Sequence, residues 1–307
     1  MFKIVQRRYL YFAISLIAIV PGIIALALWG LPAGIDFTGG TFLEVTFTEG
    51  ERPSTENIAS LLRDYGFSDP QVQTAGETNL VIRSKEMDET TRAQILSEME
   101  DRFDSEVTMQ RFESVGPSVG QEVAQRAAGA VGLAALGILL YITYAFRGVD
   151  KAFRYGVAAI LAMLHDVVLV VGIESILGHF LGWEADALFL TALLTVIGFS
   201  VHDSIVVFDR IRENSRIYRR LPYETLVNHS IVQTLDRSIN TQLTVMLTLL
   251  ALALFGGSTI RHFVVILLIG VFSGTYSSIF NAAPILVVWE NQEWKNWFRK
   301  GASAKAR

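Results

Sequence analysis

A chain of 307 residues with 51% hydrophobic and only 18% charged residues carries too little charge for a soluble domain of its size, and points to lipid as its solvent. A formal net charge of −4 with no long basic run argues against a nucleic-acid partner. The absence of cysteine excludes disulfides, thiolate metal sites and cysteine nucleophiles, and the five histidines lack metal-ligand spacing.

Residues 1–8 form a basic start with Lys3, Arg7 and Arg8. Crossing the hydrocarbon core as a helix takes about 20 apolar residues, and Tyr9 to Trp29 supplies the first such run, over 9–30. The run is too long for a signal peptide and ends in no small-residue cleavage site, so it reads as a retained anchor.

Residues 31–125 read as a folded extracytoplasmic domain. Thr41 to Thr48 alternates like a half-buried strand, with Phe42, Val45 and Phe47 as packing candidates. Pro53, Ser54 and Thr55 start a helix that runs to about Tyr65 and stops at Gly66. Short strands at Val72–Ala75 and Leu80–Ser84 flank a turn, a helix spans about Asp88 to Phe103, and Val107–Val115 closes the set as a strand. The order β-α-β-β-α-β is the ferredoxin-like pattern. Gly34, Gly39 and Gly40 in GIDFTGG, and Gly116, Pro117 and Gly120 in GPSVG, sit at the two junctions with the membrane and predict hinges or fixed turns.

Residues 126–292 carry five further apolar runs, about 127–146, 155–177, 186–208, 238–256 and 263–289. A cytoplasmic loop is expected at about 209–237 and a basic tail at 293–307. The Lys and Arg residues of the short loops collect on one side, with only Arg261 opposite, which makes both termini cytoplasmic. The fold class expected is a polytopic helical membrane protein of six spans, with an α+β domain between the first and second.

Ionisable groups in lipid cost at least ~2.5 kcal/mol, so they point to function. His165 and Asp166 fall near the middle of the third span, and His202 and Asp203 in the inner half of the fourth. Glu174 and Asp186 read as interfacial. Thr234, Arg237, Thr241, Thr244 and Thr248 recur at helical spacing on the fifth span, at a depth that permits an Asp203–Arg237 pair. Such a pair is either a proton relay, in which the guanidinium tunes the acid, or a static register lock. His165 and His202 read as orienting or hydrogen-bonding groups. Gly270 and Gly274 form a GxxxG packing pair, extended by Ser277, Ser278 and Asn281, with Asn281 the member that could face a hydrated path. Gly129, Gly132 and Gly137 predict a similar packing surface on the second span. A six-helix half with inward charges needs a complementary half to cover them. No Walker sequence or nucleophile elbow is present, so an ion gradient is the expected energy source.

The stretches GIDFTGG (34–40), GPSVG (116–120), LHDVVLVVG (164–172), FSVHDSIVVFDRIREN (199–214), the Thr and Arg stripe, and GTYSSIFNAAPI (274–285) together resemble the SecF side of the SecD/SecF family within the RND superfamily. The resemblance implies a non-enzymatic role in protein export across the bacterial inner membrane, with no cofactor, driven by the proton motive force. SecD is the implied heterodimer partner, SecYEG the translocon and the preprotein the cargo, with YajC and YidC as further candidates. It implies Asp203, Arg237 and Asp166 as relay residues, while the residues themselves add His202, His165, Thr241 and Asn281 as candidate modulators. His202 departs from the asparagine usual at that place. An RND-like exporter half for a lipid or small molecule, and a passive translocon scaffold, remain the alternatives.

Overall fold

Each apolar run forms a helix in the computed structural model, which describes residues 3–48, 52–76, 78–149 and 151–297. Most of the basic tail, from residue 298 on, lies outside the described residues. A 3-10 turn at Val5–Arg7 leads into α1 (Arg8–Trp29) and a one-turn helix α2 (Ile35–Thr38). Then come β1 (Gly40–Phe47), α3 (Thr55–Asp64), β2 (Gln71–Ala75), β3 (Asn79–Ser84), α4 (Glu89–Phe103) and β4 (Val107–Val115). The remainder is helical: α5 (Pro117–Ala145), α6 (Phe153–Leu181), α7 (Ala187–Ile217), α8 (Tyr223–Phe255), α9 (Ser258–Ser277), a π-helical segment (Ser278–Ala282), α10 (Ala283–Glu290) and α11 (Trp294–Trp297). Six helical stretches are long and apolar enough to cross a membrane, the last running through α9, the π segment and α10. The chain divides into a helical unit, Met1–Pro32 with Ala130–Arg307, and an α/β unit, Ala33–Gly129.

In the α/β unit the four strands form one antiparallel sheet in the order β2-β3-β1-β4. Its apolar face carries Leu43, Val45, Phe47, Leu80 and Ile82, covered by Ile58, Leu61 and Leu62 of α3 and Ile95 and Met99 of α4. Strand parity therefore selects Leu43, not Phe42, for this core. Phe42 lies on the opposite face, under the guanidinium groups of Arg83 and Arg111 at 5.5 and 5.0 Å. Ser54 and Asp88 cap α3 and α4 by accepting from Asn57 N and Thr91 N. Hydrogen bonds from Thr90 and Thr91 hold the Asp88 carboxyl below the usual carboxylate range.

The two glycine motifs meet. Gly39 has φ +75°, and a Cβ there would lie 2.6 Å from Pro117 Cα; one on Gly120 would lie 2.6 Å from Gly39 N. Gly34 caps α2, Gly40 (φ +127°) runs against Ser84 O, and Gly116 lies beside the Glu86 carboxylate. At Gly39, Gly40 and Gly120 the backbone comes so close that a side chain would be blocked.

In the helical unit the expected loop at 209–237 is replaced by helix. α7 continues to Ile217 and α8 begins at Tyr223, leaving only 218–222 as connection. The polar extensions hold one another: Asn214 Nδ2 donates to Ser230 Oγ (2.9 Å) and Gln233 Oε1 (2.8 Å), and Arg210 Nε donates to the same Gln233 oxygen (2.7 Å). Hydropathy marks where a helix leaves lipid, not where it stops.

The chain start is tied to the end of the bundle. Asn228 Oδ1 accepts from Ile4 N and Val5 N, while Arg8 reaches Glu293 at 2.6 Å and Glu224 at 3.3 Å. Burial raises the Glu293 pKa, but hydrogen bonds from Arg8, Tyr9 and Asn291 outweigh it and leave the group below its ordinary value. The tie is thus in place at neutral pH and weakens only on strong acidification.

Helices approach closely at small residues. A Cβ on Gly22 of α1 would lie 2.8 Å from Gly172 Cα of α6. One on Gly270 of α9 would lie 2.1 Å from Val196 Cγ2 of α7, and one on Gly274 would lie 3.2 Å from Ser200 Cβ. A Cβ added at Gly129, Gly132 or Gly137 of α5, expected to pack in the same way, would meet nothing within 4 Å among the described residues. We expect Gly270→Leu to lower stability by roughly 1–3 kcal/mol through overpacking, measured as the unfolding midpoint in detergent. Adding Val196→Ala should restore part of that loss.

Candidate functional site

Two aspartates are buried between the spans, and their surroundings differ. Asp166, mid-way along α6, is 0% exposed. Its Oδ2 accepts from Ser200 Oγ of α7 and Ser277 Oγ of α9, both at 2.6 Å, and its Oδ1 from Ser273 Oγ at 2.7 Å. His165 Nδ1 lies 2.9 Å from the same Oδ1. Four polar groups on three helices thus converge on one carboxylate. His165 Nε2 is buried without a partner in the chain.

Asp203, at the middle of α7, is 3% exposed and, among the described residues, accepts one hydrogen bond, 2.5 Å from Gln242 Nε2 of α8. Gln242 Oε1 and Ser238 Oγ, one turn apart on α8, are buried with no partner among the described residues. Among the described residues no ion pair joins Asp203 to a cation.

The expected Asp203–Arg237 pair is therefore corrected. Arg237 is exposed, and so are Thr241, Thr244 and Thr248, whose hydroxyls bond back to their own helix four residues earlier. One residue is about 100° of helix rotation, so Ser238 and Gln242 occupy the face toward α7 while Arg237 and Thr241 turn away. Thr234, at the inner end of the stripe, is buried. His202 is exposed.

Asn281 also takes another place. Its Nδ2 donates to Ser15 Oγ of α1 (2.8 Å), and the Ser15 hydroxyl lies 3.2 Å from Asn281 Oδ1. Asn281 belongs to the π segment, where Pro284 supplies no N–H to Phe280 O and its ring opposes the regular helix. In the same segment Ser278 Oγ donates to Ser200 O (2.8 Å) and receives Ser204 Oγ (3.1 Å), fastening α7 to the last span.

Glu174, read as interfacial, is 0% exposed, with Oε2 2.9 Å from His262 Nε2 of α9 and Oε1 unpartnered among the described residues. The His262 ring leans on Trp183 at 4.6 Å. Asp186 caps α7 by accepting from Phe189 N at 2.7 Å. Removing one side of a buried pair typically costs about 3–5 kcal/mol. We expect His262→Ala to lower the unfolding midpoint strongly and His262→Gln, which keeps a donor, to lower it less.

The sequence reading missed Gln242, Ser238, His262 and the serines around Asp166. The signal for the first two was present: polar residues four apart, one position from the chosen stripe.

Three comparisons bear on identity. The family model described as "Protein export membrane protein SecD/SecF, C-terminal" matches residues 95–292. Protein translocase subunit SecF of Anaerolinea thermophila is 59% identical over 303 residues, 98% of each chain, and that of Thermobaculum terrenum is 50% identical over 312 residues, again 98% of each. The crystal structure of SecDF, a translocon-associated membrane protein from Thermus thermophilus, matches with a TM-score of 0.81 at 35% identity, over 94% of this chain and 39% of that one. Spans of this number, enclosing buried acids, define a polytopic helical membrane protein. The chain belongs to the SecD/SecF family of protein export membrane proteins, as a SecF-type subunit.

Proposed function

We propose that this chain is the SecF half of a proton-driven export device that pairs with SecD, and that Asp203 is the group that takes up and gives back the proton. The observation that carries the reading is a buried mid-helix carboxylate whose one hydrogen-bonding partner among the described residues is a neutral amide. Gln242 suits both forms of that acid. Its NH2 donates to the carboxylate, and its free Oε1, after the amide turns, accepts from the protonated acid. Asp166, which accepts from three serines on two helices, serves in this reading as a fixed anchor.

An exposed Arg237 at a helix surface, with Thr241, Thr244 and Thr248 beside it, favours a complementary protein half over lipid. A SecDF relative from Thermus thermophilus, of which this chain covers 38%, supports SecD as that half. The α/β unit is proposed to be the ferredoxin-like domain on the periplasmic side, supported by its strand order, with both termini cytoplasmic and the SecYEG channel as the neighbour.

The test is gradient-dependent preprotein translocation in inner-membrane vesicles that hold this chain with its SecD. Stimulation by the pair should vanish when an uncoupler collapses the proton gradient while ATP is maintained. A passive scaffold would keep its stimulation under the uncoupler.

A further inference from the structure

The helical unit holds a cavity of about 600 Å³ where the α5–α6 connection, the end of α7, the start of α8 and α10 come together. It lies at the end of the bundle where α1 begins, since Glu224, which follows the lining residue Tyr223, pairs with Arg8. Four cations line it: Lys151 and Arg154 from the α5–α6 side, and Arg216 and Arg219 from the α7 side. Its single acid is Glu290, engaged by both Lys151 and Arg154. Arg216 and Arg219 have no carboxylate partner among the described residues. Tyr155 and Tyr223, hydroxyls 3.3 Å apart, form part of the wall.

Loop arginines on one side of a membrane protein need only report topology. Here cations from two separate elements converge on one concave volume, leaving an excess of three positive charges in its lining. That arrangement fits a compact anion with several acceptor oxygens. Large apolar side chains flank the same elements: Phe153 precedes Arg154, and Ile217 follows Arg216, both exposed. A free phosphate would leave them uncovered, whereas a phospholipid would lay its acyl chains on them while its phosphate enters the cavity.

We propose that this cavity binds the phosphate headgroup of an anionic phospholipid, with Arg216 and Arg219 as its principal ligands. The proposal is independent of the proton reading, since none of these residues touches Asp203.

Native mass spectrometry of the purified full chain, titrated with phosphatidylglycerol, phosphatidylcholine or inorganic phosphate, tests it. Phosphatidylglycerol should be retained in preference to phosphatidylcholine. Arg216→Gln with Arg219→Gln should weaken its retention on the order of fivefold per arginine. Arg216→Lys with Arg219→Lys should restore most of it, and Arg220→Gln, outside the lining, should change nothing. Should the double glutamine variant fold poorly, Lys151→Gln alone should still weaken retention. Equal retention of the two lipids, an unaffected double variant, or inorganic phosphate binding as well as the lipid would each overturn the proposal.

Discussion

Asp203→Asn, produced with SecD and assayed in vesicles, is expected to reduce preprotein translocation to the level of the parent after its proton gradient is collapsed. The side chain keeps its size and an acceptor for Gln242, so helix packing is preserved, and the stability change should be about 1 kcal/mol or less, as for one hydrogen bond. Loss of drive with the fold intact separates a proton-handling group from a structural one. Translocation that keeps its gradient dependence in the variant would remove Asp203 from that role. Gln242→Leu should slow the same step without abolishing it, because the acid remains but loses the amide that serves both of its forms.

Asp166→Ala is expected to act through stability. Removing the carboxylate leaves three serine hydroxyls and His165 Nδ1 without their common acceptor, in a place with no solvent to replace it. A buried donor left without its partner typically costs about 1–3 kcal/mol. Several are lost together, so the expected loss is at least about 3 kcal/mol, a large part of a typical folding free energy. The chain should fall in abundance and unfold at lower temperature. Asp166→Asn, whose carbonyl still accepts from two donors, should recover part of the stability, and in that variant the gradient dependence should persist. Stability unchanged in Asp166→Ala would contradict the anchor assignment.

The contrast between these two aspartates was not legible in the sequence, and the reason is geometric. Each is an acid next to a histidine inside an apolar run, so composition places both in lipid and stops there. What distinguishes them is a set of serines at 200, 273 and 277, ordinary residues until three helices bring their hydroxyls to one point. Register mattered on α8 as well. The stripe containing Arg237 is a sound amphipathic pattern, but a pattern of exposed threonines and an arginine marks a face needing cover, not the face that already has it. Glu174 looked interfacial because its depth was counted along its own helix, while the partner that buries it, His262, comes from the other end of the bundle sequence.

Other features could be read in advance because local chemistry dictates them. Apolar runs of spanning length leave a backbone no alternative to helix. Ser54 and Asp88 announce helix starts, Gly66 with φ +91° closes α3, and alternation fixes β1, though only the strand's true parity puts Leu43 inside. The polar parts of α7 and α8 beyond their apolar runs were unreadable for the opposite reason: they remain helical through hydrogen bonds to each other across 214, 230 and 233.

The most direct measurement is an isotope-edited infrared titration of the chain in lipid with SecD, taken as the difference between the parent and Asp203→Asn. A carboxylic-acid band belonging to Asp203 should appear as pH falls, disappear as it rises, and shift in proportion when a membrane potential is applied. A single charge state for that residue at every pH and voltage would contradict the account.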